Sequence, residues 1–274
     1  MARPKFSVVT SIHCWNDYRK NGIKRAAKSL ENQTYKDFEW IVVNDGSPEE
    51  FEVPSWAKVI NKDHEERVAG LNAGFKQAQG EIFCTLDSDD EYETNYLEKV
   101  EGYFNKYPKY KMFNFGCTYI HGDGGVNKRA PFTPKKLKVG HEIFGGGNIV
   151  SGTFVWHRSV YDDLGAFPDT HLTNVDCSEL NYPSNYGHTD EEPQYVRDLF
   201  MGTPYDVAAW FQLEFPEQRQ FFMVDHENEP NKVIKEIGNP WGQDHIIFYK
   251  YTRKYWSKPM NDYLYIVHWK QGVE

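Results

Sequence analysis

The sequence predicts an α/β fold with a mostly parallel central sheet flanked by helices, and three observations predict it. Across the first 120 residues, short β-branched or aromatic runs alternate with stripes of helical period. Polar residues gather just after those runs, where an open parallel sheet keeps its ligand crevice. The 274 residues, with 31 Lys+Arg against 40 Asp+Glu and a 39% hydrophobic share, suit one large globular domain or two small ones and exclude a disordered chain.

The elements follow in order. Residues 6–10 (Phe-Ser-Val-Val-Thr) read as the first strand, and Ile23, Ala26, Ala27 and Leu30 form the apolar stripe of the first helix. Strands over 38–43 and 58–60 come next, then a helix striped by Val68, Leu71, Phe75 and Ala78. A strand over 82–86, a helix carrying Tyr96, Val100, Tyr103 and Tyr107, and a strand over 112–119 complete the alternation. Beyond residue 120 the period is lost in a glycine- and proline-punctuated stretch through Gly145-Gly146-Gly147, before a short strand over 153–156. From about Asp190 helical stretches return, limited by Pro204, Pro216, Pro230 and Pro240, and an aromatic tail over 249–269 has to cover something. The expected architecture is one catalytic domain with halves 1–120 and 121–274, the second ending in a helical and aromatic region.

Composition narrows the setting. Cys14, Cys84, Cys117 and Cys177 are widely spaced with no Cys-x-x-Cys pair, so they read as reduced thiols and not as a disulfide framework or zinc cluster. No apolar run approaches the roughly 18 residues of a membrane span, and no signal-peptide apolar region follows Met1. A soluble, cytoplasmic protein is expected.

Three acidic clusters carry the chemistry. Asn44-Asp45-Gly46-Ser47 follows an apolar run; a carboxylate there can accept a hydrogen bond from a base imide, although a plain Asx turn explains the same residues. Asp87-Ser88-Asp89-Asp90 places three carboxylates within four residues, which repel unless a cation or ligand compensates; hard divalent metals with substrate phosphates suit them. The competing reading is an N-cap for the helix at Tyr96. The third cluster, Asp190-Glu191-Glu192 ahead of Arg197, fits either a catalytic base or partners of a helix dipole.

Taken together, residues 6–11, the run from Leu30 through Asn44-Asp45-Gly46-Ser47, Gly70-Leu-Asn-Ala-Gly74, Gly80-Glu-Ile and Leu86-Asp-Ser-Asp-Asp90 resemble the nucleotide-sugar half of the family 2 glycosyltransferases, inverting enzymes with the A-type fold. The likeness is close over about the first 90 residues. It continues more thinly through Ser151 to Ser159, Leu164 to Pro168 and Asp190 to Arg197.

The resemblance implies a transfer of sugar from a nucleoside diphosphate, UDP favoured, to an acceptor hydroxyl. Asp45 would accept the N3–H of uracil, Thr10 would lie beside the base, Arg67 would approach base or diphosphate, and Asp87 and Ser88 would line the nucleotide. Asp89 would contact Mn²⁺ or Mg²⁺ directly, with Asp87 as second ligand or ribose partner and His226 as a late ligand. The general base would be Asp190 or Glu191, with Asp176 and Glu179 the next carboxylates. The motif departs from the family's usual Asp-Asp-Gly-Ser at Asn44, and Glu191, six residues before Arg197, competes with Asp190 for the base.

The acceptor is open at this level. Lys128, Arg129, Lys135, Lys136 and Lys138, and the tyrosine-interleaved basic run 249–258, suit a phosphate-bearing polymer such as modified nucleic acid, solvated loops, or peripheral contact with a membrane. A saccharide acceptor is favoured over nucleic acid. A nucleotide-binding module without turnover is the rival outside the enzyme class, and nucleotidyl transfer is disfavoured because residues 6–15 contain no glycine for a phosphate loop.

Overall fold

The computed structural model describes residues 3–65, 67–131, 150–167, 255 and 257–269, with the short strands at 171–172, 220–221, 223–225 and 229–235 between them. The chain divides into two compact units, one of Met1–Phe132, Val150–Ala166 and Lys254–Glu274 and the other of Thr133–Ile149 and Phe167–Arg253.

The first unit is built on a nine-stranded sheet of order β3-β2-β1-β4-β8-β6-β13-β5, with β7 hydrogen-bonded to β6. Its strands are β1 Phe6–Ile12, β2 Phe38–Asp45, β3 Lys58–Lys62, β4 Ile82–Thr85, β5 Glu91–Tyr92, β6 Met112–His121, β7 Val126–Arg129, β8 Phe154–His157 and β13 Ser257–Trp269. β3, β2, β1 and β4 are parallel neighbours; β8 runs antiparallel to both β4 and β6, and β13 is parallel to β6. The expected α/β architecture with flanking helices is therefore present, but the sheet is mixed: parallel across β3-β2-β1-β4 and between β6 and β13, antiparallel at β4-β8, β6-β8, β6-β7 and β13-β5. In the second unit β9 His171–Leu172 pairs in parallel with β10 Gln220–Phe221, and β11 Met223–Asp225 pairs antiparallel with β12 Glu229–Lys235.

Helix α1, Asp17–Glu31, starts where the Asn16 side chain accepts the Arg19 N–H and buries Ile23, Ala26, Ala27 and Leu30, the stripe anticipated from spacing. Its one close approach is at Gly22, where a Cβ would meet the Ser88 carbonyl oxygen at 2.8 Å and the Asp89 Cα at 2.9 Å. Helix α2, Arg67–Gln77, buries Val68, Leu71 and Phe75 and lies on β1 and β2. Helix α3, Tyr96–Lys106, buries Tyr96, Leu97, Val100 and Tyr103; α4, Arg158–Leu164, follows β8. Trp40, Trp156, Tyr96 and Tyr265 are the largest side chains enclosed by these layers. None of the described helices is long and apolar enough to cross a membrane.

One expectation is corrected. Residues 257–269, assigned from sequence to a helical and aromatic C-terminal region, form the longest of the described strands, lying between β6 and β5. The β-branched and aromatic run Tyr263 to Trp269 favours that conformation, and the strand tolerates Pro259 because only its far end, at Tyr265 and Ile266, pairs with β5.

Candidate active site

The parallel strands β1 to β4 send their carboxyl ends to one edge of the sheet, and the strand order reverses between β1 and β4. A crevice at such a reversal is where open α/β sheets bind ligands. The segments after β1, β2, β3 and β4 bring His13 to Arg19, Asp45 to Ser47, Asp63 to Arg67 and Asp87 to Asp90 to that edge.

Asp45, with a side chain 2% exposed, is held by its neighbours. Its Oδ1 accepts from Lys62 Nζ at 2.8 Å and from the Glu65 N–H at 3.1 Å, and its Oδ2 lies 2.8 Å from His64 Nδ1. The next residue, Gly46, has φ 63°, and a Cβ there would stand 2.6 Å from the His64 nitrogen, so both backbone and space call for glycine. Asn44 Oδ1 accepts the Ser47 N–H at 3.0 Å, so the Asx turn forms through Asn44 and leaves the Asp45 carboxylate to other partners. The His13 and His64 rings stack with centroids 4.0 Å apart, and their Nδ1 atoms lie 2.8 and 3.1 Å from the Asp45 carbonyl oxygen. A carbonyl only accepts, so each Nδ1 carries the proton there.

The acidic segment after β4 is threaded with arginines. Arg67, at the start of α2, donates to Asp87 Oδ1 from Nε at 3.0 Å and from Nη2 at 2.6 Å. Arg19 Nη1 donates to Asp89 Oδ2 at 3.1 Å, and Arg25 Nη2 donates to the Asp89 main-chain oxygen at 3.1 Å. Asp90 accepts the His268 N–H at 3.0 Å and is hydrogen-bonded to the Tyr265 hydroxyl. That hydroxyl in turn accepts the Asp87 N–H at 3.0 Å. His268 Nε2 lies 2.5 Å from Glu91 Oε1. The cluster is no cap for α3, since β5 intervenes and Asn95 is the cap residue.

Electrostatically the Asp89 and Asp90 carboxylates are costly to keep charged, chiefly because they are buried. Burial, opposed by Arg19 and aggravated by Asp87, raises the Asp89 carboxyl above the usual range; burial and then the charges of Asp89 and Asp87 raise Asp90 well above it. Oxygen-only donors with unspent negative charge fit a hard divalent cation. Among the described residues no three His, Cys, Asp or Glu side chains could enclose an ion alone, so such an ion would need oxygens from a ligand as well.

Of the residues anticipated from sequence, Asp45, Arg67, Asp87 and Asp89 lie at the crevice edge and Ser88 is 4% exposed beneath it. Thr10 is enclosed. Strand alternation turns it into the core at 0% exposure, where its Oγ1 donates to the Leu86 carbonyl at 2.7 Å and accepts from Trp40 Nε1 at 2.9 Å. It braces the turn before Asp87. Asp190, Glu191, His226, Asp176 and Glu179 lie outside the described residues. Sequence reasoning missed His13, Arg19, Lys62, His64, Tyr265 and His268; only the alternation of Tyr263, Tyr265 and Val267 signalled any of them.

Comparison with known proteins agrees with this geometry. Residues 11–165, more than half of the 274-residue chain, match the profile of glycosyl transferase family 2. The GalNAc(5)-diNAcBac-PP-undecaprenol beta-1,3-glucosyltransferase of Campylobacter jejuni is 30% identical over 157 residues, covering 51% of this chain and 46% of that protein. An uncharacterized glycosyltransferase of Rickettsia felis is 32% identical over 133 residues, covering 46% of this chain and 21% of that protein. The chain thus spans less than half the length of these curated relatives. The solved structure of S. aureus TarS 1-349 in complex with UDP-GlcNAc has the same fold, with a TM-score of 0.54 at 14% identity over 98% of this chain and 60% of that one. The matched profile, which runs from β1 through α4 and takes in the whole crevice edge, establishes that this chain belongs to glycosyl transferase family 2, and the TarS likeness gives it the A-type fold.

Proposed function

We propose that this enzyme transfers a sugar from a nucleoside diphosphate, with UDP as the nucleotide, to the hydroxyl of a saccharide acceptor, with inversion and with a divalent Mn²⁺ or Mg²⁺. One observation carries the reading. At the reversal of strand order, three carboxylates and three arginines interleave, the charge arrangement that a cation and a diphosphate need together. The UDP-GlcNAc complex of the TarS structure supports UDP. The name of the Campylobacter relative supports a saccharide acceptor carried on a lipid diphosphate.

Asp89 and Asp87 would hold the cation, whose chemistry when bound is to offset the charge that builds on the departing diphosphate. The chain's own residues do the rest. Asp45, fixed by Lys62 and His64, orients the base; Arg67 stands over Asp87 where the diphosphate enters. The acceptor oxygen bonds to the anomeric carbon as the bond to the diphosphate oxygen breaks, and the leaving nucleotide takes that electron pair. Asp190 or Glu191 removes the acceptor proton.

The test is a panel of nucleotide sugars with Mn²⁺, reading slow donor hydrolysis in the absence of acceptor. UDP-sugars are expected to be cleaved, with loss of most turnover in Asp89→Ala and in chelator. Full activity under chelation sinks the metal assignment, and tight UDP binding without cleavage of any donor leaves a binding module.

A further inference from the structure

Asp89 already has a cation. Arg19 Nη1 sits 3.1 Å from its Oδ2, and the same guanidinium lies 4.7 Å from the centroid of the Trp15 ring. Trp15 is 43% exposed, so the arginine stands between a ring that opens to solvent and the carboxylate that would touch the metal. The other two arginines are placed differently: Arg25 donates to the main-chain oxygen of Asp89, and Arg67 grips Asp87 through two nitrogens. Among the described residues Arg19 is the cationic side chain paired with the Asp89 carboxylate.

A guanidinium and a divalent ion on one carboxylate repel each other at short range. Arg19 has to give way when the ion arrives, and its surroundings define how. Its backbone is fixed in the first turn of α1, where its N–H donates to Asn16 Oδ1 at 3.0 Å. The helix cannot slide away, because it is seated against Ser88 and Asp89 through Gly22. Movement is left to the side chain, and the Trp15 face offers a cation–π resting place on the way. A planar guanidinium that leaves a carboxylate matches a phosphate group with the same two-pronged geometry.

We propose that Arg19 is the resident counter-ion of Asp89 in the unliganded enzyme and transfers to the diphosphate of the donor when a divalent cation takes the carboxylate. The exchange ties the two ligands together: the cation binds poorly until the nucleotide is present to receive the arginine. The inference rests on the assignment of Asp89 to the metal made above.

The experiment measures Mn²⁺ binding to the full chain by electron paramagnetic resonance of the free ion, with and without UDP. Wild type, Arg19→Gln, Arg19→Lys, Asp89→Ala and, as a neighbouring control, Lys20→Ala are compared. Lys20 is engaged with Glu49 and not with the acidic segment. Wild type is expected to bind Mn²⁺ weakly alone and at least about tenfold more tightly with UDP, and by linkage Mn²⁺ tightens UDP by the same factor. Arg19→Gln is expected to bind Mn²⁺ alone about 5- to 20-fold more tightly than wild type and to lose most of that coupling, with Arg19→Lys between them and Lys20→Ala unchanged.

The exchange is overturned if Arg19→Gln binds Mn²⁺ alone no more tightly while Asp89→Ala abolishes binding, or if wild type shows no coupling between Mn²⁺ and UDP. If Asp89→Ala binds Mn²⁺ as wild type does, the metal assignment itself fails, and that result is separate from the first.

Discussion

The Tyr265 hydroxyl accepts the backbone N–H of Asp87 across 178 residues of chain, at 3.0 Å, while hydrogen-bonded to the Asp90 carboxylate. One phenol therefore sets both ends of the acidic segment. Tyr265→Phe keeps the ring and removes the oxygen, leaving a buried donor and a buried carboxylate without that partner. A loss of about 1–3 kcal/mol in urea unfolding is expected, together with weaker Mn²⁺ binding in the presence of UDP. Unchanged metal affinity would show that the segment holds its shape without the tyrosine.

Thr10 separates a structural role from a ligand role. Thr10→Val leaves the Leu86 carbonyl and the Trp40 indole N–H without their partner, which should lower stability by about 1–3 kcal/mol. Because the side chain is fully enclosed, UDP affinity of the folded variant should match wild type by calorimetry. A marked drop in UDP affinity at full folding would return Thr10 to the nucleotide site.

Asp45 tests recognition of the base. Asp45→Asn exchanges an acceptor-only group for one that also donates, opposite Lys62 and His64, which themselves donate. UDP binding should weaken by about 1.5–3 kcal/mol, the cost of a hydrogen bond to a charged group. Equal calorimetric affinities would place the base elsewhere.

Gly22 tests how closely α1 must sit to the acids. An added methyl would meet backbone atoms at 2.8 and 2.9 Å, so something has to shift. Overpacking typically costs about 1–3 kcal/mol, against a helix-propensity gain of about 1 kcal/mol for replacing glycine. Gly22→Ala should therefore be less stable than wild type by about 1 kcal/mol, although the same change at an exposed helix position stabilises. A rise in melting temperature would count against the contact.

Asp262 ties β13 to α3. Burial alone would raise its carboxyl, but the hydrogen bonds from Lys99 at 2.6 Å and from Tyr103 outweigh burial and lower it. A carboxyl lowered on folding adds stability above its unfolded pKa of about 3.9, and that contribution disappears as pH falls through the folded value. Since the pair is partly exposed, Asp262→Asn should cost only about 1 kcal/mol near neutral pH. The gap to wild type should close as pH falls below the unfolded value and through the lowered folded one, and denaturant titrations at neutral and at strongly acid pH decide it. A constant gap would mean that packing, and not charge, is what the substitution removes.

Much of the parallel part of the sheet was legible because a strand covered on both faces shows as an unbroken apolar run, and polar residues at its carboxyl end then stand out. Asp45, Asp87 and Asp89 stood out that way, and the structure has them at the strand ends, whereas Arg67 came only with the family resemblance. Thr10 came only with the family resemblance, and the alternation of β1, readable in the sequence, is what turns its side chain inward. Arg19 was not legible: a charged residue in the first turn of an amphipathic helix carries no mark of what stands opposite it. β13 was hidden for a related reason. Its partner lies far back in sequence, with Ser257 bonded to Asn114 across 143 residues, and Pro259, Asn261 and Asp262 break its pattern where the ladder shifts register.

The placement of β13 also has a meaning for biosynthesis. During translation the acidic segment leaves the ribosome 178 residues ahead of the tyrosine that fastens it, an interval of roughly 10–35 s at ordinary elongation rates. Through that interval β6 has one side without its final neighbour, an open edge of the kind that recruits stray strands. The nascent chain would then have the parallel strands and β8, β6 and β7 together before β13 and β5 join them, and a ribosome stalled before residue 257 would display that partial sheet with Asp87 and Asp90 not yet held by Tyr265.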